Sequence, residues 1–377
     1  MGRTILFTLA AAVAVAAPAW AADPMRIGLD GIMTGPNAQN GEFSRNGAQL
    51  AVDEINAKGG VKLPGAKEAR PLELVVVDDQ AKPDIALNAI RKLVSDETVL
   101  AFLGPDYSGL TYPTLFIGEE ADIAQITSSI AAKITQENYK HILRGRSNDE
   151  VWVRALVDYA VGKLGKKRIG ISYTNIELGR SGKDVAVKYL KEKYNLAPVV
   201  ETAYGFGDRD LSAQASQVKQ ADPEVLINWG TQIEAALLVR DLRTLGWKGV
   251  FSFNAADDIF TDLAKENAVG VIGPQNWVWT KDDPKSKAFA SAYEKKFGKR
   301  PSPHSVVYYD GIYLLKAALE KGGAEREKIL ATIKSMNQFD GVQGKFTPSA
   351  KGGDMIAATV IIEYDDKLIP KVVGSFD

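Results

Sequence analysis

The chain has 377 residues, 45% of them hydrophobic, and 46 Lys and Arg against 47 Asp and Glu. That near-neutral balance offers none of the clustered basic surface that nucleic-acid binding needs, so no nucleic-acid partner is expected. With no cysteine and only two histidines, His141 and His304, disulfides, thiolate metal sites and a cysteine nucleophile are excluded, zinc and serine–histidine chemistry have little to work with, and neither metal nor cofactor is expected.

Residues 1–21 read as a signal peptide: Arg3 supplies a short positive region, Ile5 to Ala17 an apolar run, and Ala19-Trp20-Ala21 the small side chains a signal peptidase reads. Pro18 ends the run short of the roughly twenty apolar residues a membrane span needs. Export with cleavage after Ala21 is expected, leaving about 355 residues, a length that suggests two domains. Met25 to Leu29 then reads as a buried strand, followed by a loop from Thr34 to Gly41. Phe43, Leu50, Val52 and Ile55 recur at helical spacing, and Lys58-Gly59-Gly60 closes that helix as a glycine C-cap does. Leu72 to Val77 is a second strand, Pro83 to Ser95 a helix, and Leu100 to Leu103 a third strand. Such alternation, with near-continuous apolar strands, predicts a parallel sheet covered by helices on both faces.

The rhythm restarts after residues 143–148. Helices are expected over Glu150 to Leu164, Gly182 to Tyr194, Leu211 to Gln220 and Glu234 to Leu245, alternating with strands at Arg168 to Tyr173, Val199 to Ala203, Val225 to Trp229 and Val250 to Phe253. Two such sets predict two lobes. Phe289 to Phe297, Val306 to Glu320 and Glu325 to Ser335 are further helices and Ala357 to Tyr364 a strand, which the pattern alone does not assign to either lobe.

Several ordered segments carry a resemblance. They are Ile27-Gly28 leading to Met33-Thr34-Gly35-Pro36, Gly47-Ala48 through Asp53-Glu54-Ile55-Asn56-Ala57-Lys58-Gly59-Gly60, Val77-Asp78-Asp79-Gln80, Leu103-Gly104-Pro105 with Ser108-Gly109, and Tyr308-Tyr309-Asp310. In this order and spacing the chain resembles the periplasmic substrate-binding proteins of ABC importers, of the leucine/isoleucine/valine-binding type. The resemblance implies a type I periplasmic binding protein fold: two doubly wound Rossmann-like lobes joined by three crossing segments, with a small-molecule ligand in the cleft. The crossings are then expected near His141 to Arg146, Gln275 to Trp279 and Thr347 to Gly352, giving one lobe from 22–143 plus 277–349 and another from 144–276 plus 350–377. It also implies a periplasmic monomer that delivers its ligand to ABC permease and ATPase subunits in the inner membrane.

In open parallel sheets ligands sit beyond the carboxyl ends of strands, against unpaired N–H groups. Tyr107, Ser108 and Gly109 follow one expected strand, and Ser128 and Ser129 another, so the Ser108 hydroxyl with the Gly109 and Ser129 N–H groups is expected to receive a carboxylate; plain N-capping is the alternative for these serines. From the second lobe Trp152, Leu178, Trp229, Gly230, Thr231, Asn254 and Asp257 are expected to close on the ligand, with core packing the alternative for Trp152. By the resemblance, Asn40 matches a position that touches ligand side chains. Binders of free α-amino acids in this family hold the ammonium with a threonine near the second serine loop, an acidic residue in the second lobe, and often tyrosines. The corresponding places here look like Ile130, Ala255, Leu178 and Thr231. A buried ammonium without an acceptor loses several kcal/mol of solvation. Either Asp106, Asp257 or Asp258 replaces the usual acceptor or the ligand has no ammonium, and a small acid or amide with an aromatic or apolar body is favoured over a branched-chain amino acid. A periplasmic sensor without a transport role is the remaining alternative. Enzyme chemistry is not expected: Asp78 and Asp79 are adjacent on an extended segment and point to opposite sides, Gly179-Arg180-Ser181-Gly182-Lys183 lacks P-loop spacing, and Gly205-Phe206-Gly207 lacks a dinucleotide fingerprint's third glycine.

Overall fold

The elements begin β1 (Met25–Gly31), α1 (Ala38–Ala57), β2 (Leu72–Asp78), α2 (Pro83–Ser95), β3 (Val99–Leu103), α3 (Ser108–Thr111), α4 (Leu115–Glu120), β4 (Ala124–Thr127) and β5 (Ile142–Arg144). The computed structural model describes residues 22–35, 37–254, 257–348, 353–356 and 358–376. The expected signal peptide, Ala255 and residues 349–352 of the expected third crossing lie outside the described residues. The first five strands form a parallel sheet ordered β2-β1-β3-β4-β5.

The chain then crosses to a second lobe built from α5 (Asp149–Val157), β6 (Ile169–Thr174), α6 (Glu177–Tyr194), β7 (Val200–Tyr204), α7 (Ser212–Ala221), β8 (Val225–Trp229), α8 (Gln232–Thr244), β9 (Val250–Phe253), α9 (Asp258–Ala264) and β10 (Ile272–Gln275). Its strands repeat the order of the first lobe as β7-β6-β8-β9-β10. The helix expected to run to Leu164 is α only to Val157; residues 158–163 continue it as one wider π turn.

The tail is shared between the lobes. Helices α10 (Pro284–Phe297), α11 (Pro303–Gly322) and α12 (Arg326–Lys334) return to the first, where Phe289, Val306, Ile312 and Leu330 join Leu29, Ile126 and Leu143 in one core. Gly47 of α1 lies on the backbone of Ser305: a Cβ at that glycine would stand 2.0 Å from the Ser305 carbonyl oxygen, so the crossing of α1 and α11 needs a residue without one. Short strands β11 (Phe339–Asp340), β12 (Lys345–Pro348) and β13 (Met355–Ile356) make a small ribbon, after which β14 (Thr359–Tyr364) and β15 (Pro370–Phe376) extend the second sheet antiparallel beyond β10.

Polar side chains tie the crossings together. Arg144, wholly buried, donates from Nε to Asp354 Oδ1 at 2.7 Å, and Asn148 Nδ2 donates to Asp354 Oδ2 at 2.8 Å. Ser147 N donates to Asn276 Oδ1 at 3.0 Å, and Gln343 Nε2 to the Gly145 carbonyl at 3.0 Å.

Candidate functional site in the cleft between the lobes

Because both lobes share one strand order, each has its topological switch between its first and third strands, β1 and β3 in one, β6 and β8 in the other. Loops that leave those strands at their carboxyl ends diverge to opposite faces and leave a crevice. The two crevices face each other. Tyr107, Ser108, Ile130, Leu178, Gly230 and Asn254, all expected at the site, line the enclosed space between them, together with Asp106, Arg146, Gln232 and His304. That space is about 20 Å³, room for about one water, so an organic ligand enters only as the lobes part.

Ser108 opens α3, and its Oγ accepts from Ala131 N at 3.1 Å, which locks the loop after β3 to the loop after β4. Its hydroxyl proton is left to donate. Ser128 and Ser129 are engaged inside the first lobe. Ser128 Oγ donates to Asp106 Oδ1 at 3.1 Å, Ser129 Oγ pairs with Thr111 Oγ1 at 2.6 Å, and the Ser129 N–H, expected to face the ligand, donates to Thr127 Oγ1 at 3.0 Å. Gly109 borders a second space at the cleft mouth instead of the inner cavity.

Asn40 joins the lobes. Its Nδ2 donates to Tyr107 OH at 2.5 Å, and its amide exchanges hydrogen bonds with that of Gln232 at 3.2 and 3.3 Å. Gln232 Nε2 also donates to Asp257 Oδ2 at 2.9 Å, while Asp257 Oδ1 caps α9 through Phe260 N. Burial pushes the Asp257 carboxyl up to about 7. Asn254 Oδ1 accepts from Gly230 N at 2.7 Å and so fixes the β8 loop against the β9 loop. Thr231 is spent on Glu234, to which its hydroxyl donates. Trp229 is core: a Cβ on Gly182 would come within 2.2 Å of its indole, so the ring fills the space between β8 and α6.

Trp152 is likewise buried, and the Arg146 guanidinium lies over its ring at 5.1 Å. Arg146 Nε donates to the Ser128 carbonyl at 2.5 Å. Among the described residues no carboxylate lies within ion-pair distance of this arginine, although it is only 8% exposed. Burial lowers its pKa to about 10, far too high for the group to lose its charge near neutrality. His304, at the start of α11, places Nδ1 3.3 Å from Ser128 Oγ and 3.6 Å from Asp106 Oδ1, and burial lowers its pKa. Asp106 is itself held by Ser44 Oγ at 2.9 and 3.0 Å. Behind it burial pushes Asp79 up to about 7 and Asp30 well above the carboxylate range. Among the described residues no cluster of His, Asp and Glu could hold a metal ion.

Such a fold and site define a class: a two-lobed protein that captures a small molecule in the cleft between its lobes. Residues 24–367 match the family model of the periplasmic binding proteins, and the chain belongs to that family. Over 92% of its length it is 29% identical to the leucine-, isoleucine-, valine-, threonine- and alanine-binding protein of Pseudomonas aeruginosa, covering 91% of that protein. It is 27% identical to the Leu/Ile/Val-binding protein of Escherichia coli K12 over 88% of each chain. Both relatives are named as amino-acid-binding proteins. Among solved structures, LivJ of Streptococcus pneumoniae in complex with isoleucine superposes with a TM-score of 0.83 at 24% identity, covering 93% of this chain and 98% of that one. A solute binding protein of Rhodopseudomonas palustris BisB5 in complex with 3,4-dihydroxy benzoic acid gives 0.80 at 20% identity, covering 94% and 97%. One fold thus houses an amino acid in one protein and an aromatic acid in another, so ligand class has to come from the side chains. Among the described residues no helix is long and apolar enough to cross a membrane.

Proposed function

We propose that this chain captures a small carboxylic acid with an aromatic or apolar body and delivers it, as an exported periplasmic monomer, to ABC permease and ATPase subunits in the inner membrane. Arg146 carries the reading. A buried guanidinium without a carboxylate partner is costly unless an anion completes it, and a ligand carboxylate would do so by paired N–H···O bonds. Ser108, with its free proton, lies across the same cavity, and Ile130 and Leu178 give the space between apolar walls. An α-amino acid would also need an acceptor for its ammonium. Asp106 is occupied by Ser44 and Ser128, and Asp257 by Gln232 and Phe260 N.

The lobes are read as 22–143 plus 277–349 and 144–276 plus 350–377, supported by the return of α10 to α12 to the first core and of β14 and β15 to the second sheet. Ligand binds the first-lobe loops, and the second lobe closes by rotation about the three tied crossings.

A thermal-shift panel of aromatic and aliphatic carboxylates, amides and α-amino acids tests the assignment, since a ligand that binds only the folded state raises the melting temperature. Carboxylates without an ammonium should stabilise the chain, and Arg146→Gln should weaken their binding by about 1.5–3 kcal/mol. Stabilisation by aliphatic α-amino acids alone, unaffected by Arg146→Gln, overturns the reading in favour of an amino acid binder.

A further inference from the structure

On the solvent side of Tyr107 the cleft opens into a second space of about 380 Å³. Pro83, Leu110 and Pro113 wall it from the first lobe, Ile176 and Phe206 from the second, and Tyr107 borders both it and the inner cavity. At its rim Glu177 is ion-paired with Lys133 at 3.0 Å, and Arg180 Nη1 donates to Asn175 Oδ1 at 3.0 Å. The walls themselves offer a ligand apolar contact.

Phe206 is built into position. Its loop is pinned on both sides of the ring, Gly205 N donating to Asp208 Oδ2 at 2.6 Å and Gly207 N to the buried Glu234 Oε1 at 2.8 Å. Gly207 takes φ 88°, a backbone conformation that favours glycine. The turn holds the phenyl edge-on to Tyr107 across the cleft, with ring centroids 6.3 Å apart at 83°. Arg146 and Leu178 line the inner cavity, Phe206 the outer space, and Tyr107 both.

We propose that this mouth is an apolar subsite for the far end of an elongated acid, an aryl-alkanoate or similar, whose carboxylate rests on Arg146; the assignment rests on the acid-binding reading above. The ligand lies along the cleft, head toward the crossings and tail past Tyr107. Closure brings Phe206 and Ile176 down on the tail from the second lobe, so the length of the apolar body, and not only the acid group, sets affinity.

The test is calorimetric titration of the chain with benzoate, phenylacetate, 3-phenylpropionate and 4-phenylbutyrate. Affinity should climb roughly three- to fourfold per added methylene, as for apolar groups moved out of water. Phe206→Ala, which removes the wall, and Ile176→Asp, which sets a carboxylate into it, should each flatten that gradient. Melting temperatures of the unliganded variants check that both still fold. If the short acids bind the native chain and the gradient is flat, or if both variants keep the native gradient, the subsite is overturned while the acid-binding reading stands. If none of the four acids binds, both fall.

Discussion

Ser108 serves two loops at once. Its oxygen receives the Ala131 N–H that holds the loop after β4 in place, which leaves the hydroxyl able to donate to a ligand. Ser108→Ala should weaken acid binding by about 1–2 kcal/mol, with a smaller loss of stability; titration calorimetry separates the two, and native affinity in that variant removes Ser108 from the site. Gly182 is the opposite case, a residue whose importance is the absence of a side chain. Gly182→Ala drives a methyl into the Trp229 indole, so the second lobe should lose about 1–3 kcal/mol, read from chemical denaturation. An unperturbed midpoint would mean that the ring has room to move. Tyr107, Ser108 and Asn254, expected from their places just past apolar strands, and Ile130 and Leu178, expected from the resemblance, line one cavity. Arg146 and His304 were not legible in the sequence. The strand before Arg146 has only three residues and no detectable pattern, while His304 arrives from a helix remote in sequence. Trp229 misled for a related reason: ending a strand places a residue near the cleft, but alternation along the strand decides which way its side chain points.

At the scale of elements, the crossings show how a moving joint can be polar and still tight. Asp354 satisfies Arg144, Asn148 and Thr135 together. Asp354→Ala strands a wholly buried guanidinium and should cost about 3–5 kcal/mol, whereas Asp354→Asn keeps a hydrogen-bond acceptor and should cost less; equal losses would show that the carboxylate charge, and not the acceptor, is what holds Arg144. Most helices and strands of both lobes were readable from periodicity. β10 was not, because Pro274 argues against a strand. It is tolerated where Pro274 faces Ile361 of β14, an antiparallel partner that returns from the end of the chain. The π turn after Val157 was also invisible, since an apolar stripe does not register one extra residue in a turn.

For the whole molecule, the buried carboxyls set a pH dependence. Asp79, Asp149 and Asp257 are pushed up to about 7 and Asp310 to about 6, in each case chiefly by burial. In the unfolded chain these groups lose their protons near pH 4, whereas in the folded chain they keep them until pH 6–7. Between those limits the folded state binds more protons, so stability falls as pH rises and levels off above about 7. Melting temperature should therefore drop by several degrees from pH 5.5 to 8; a rising profile would contradict the burial of these four groups. The exposed carboxylates with lowered values, such as Glu224 and Asp365, act only below about pH 4.5, outside this window.

The seven-stranded sheet has a consequence for synthesis. Strand β10 waits for β14 across an intervening stretch whose helices pack in the first core, so its outer edge stays unpaired until residues 359–364 leave the ribosome. A nascent chain stopped anywhere between residues 276 and 358 carries a bare strand edge with no native partner. The second lobe starts after the first and closes its sheet only with β14, and a deletion that removes β14 and β15 should promote self-association, read by light scattering, without removing a residue that lines the cleft.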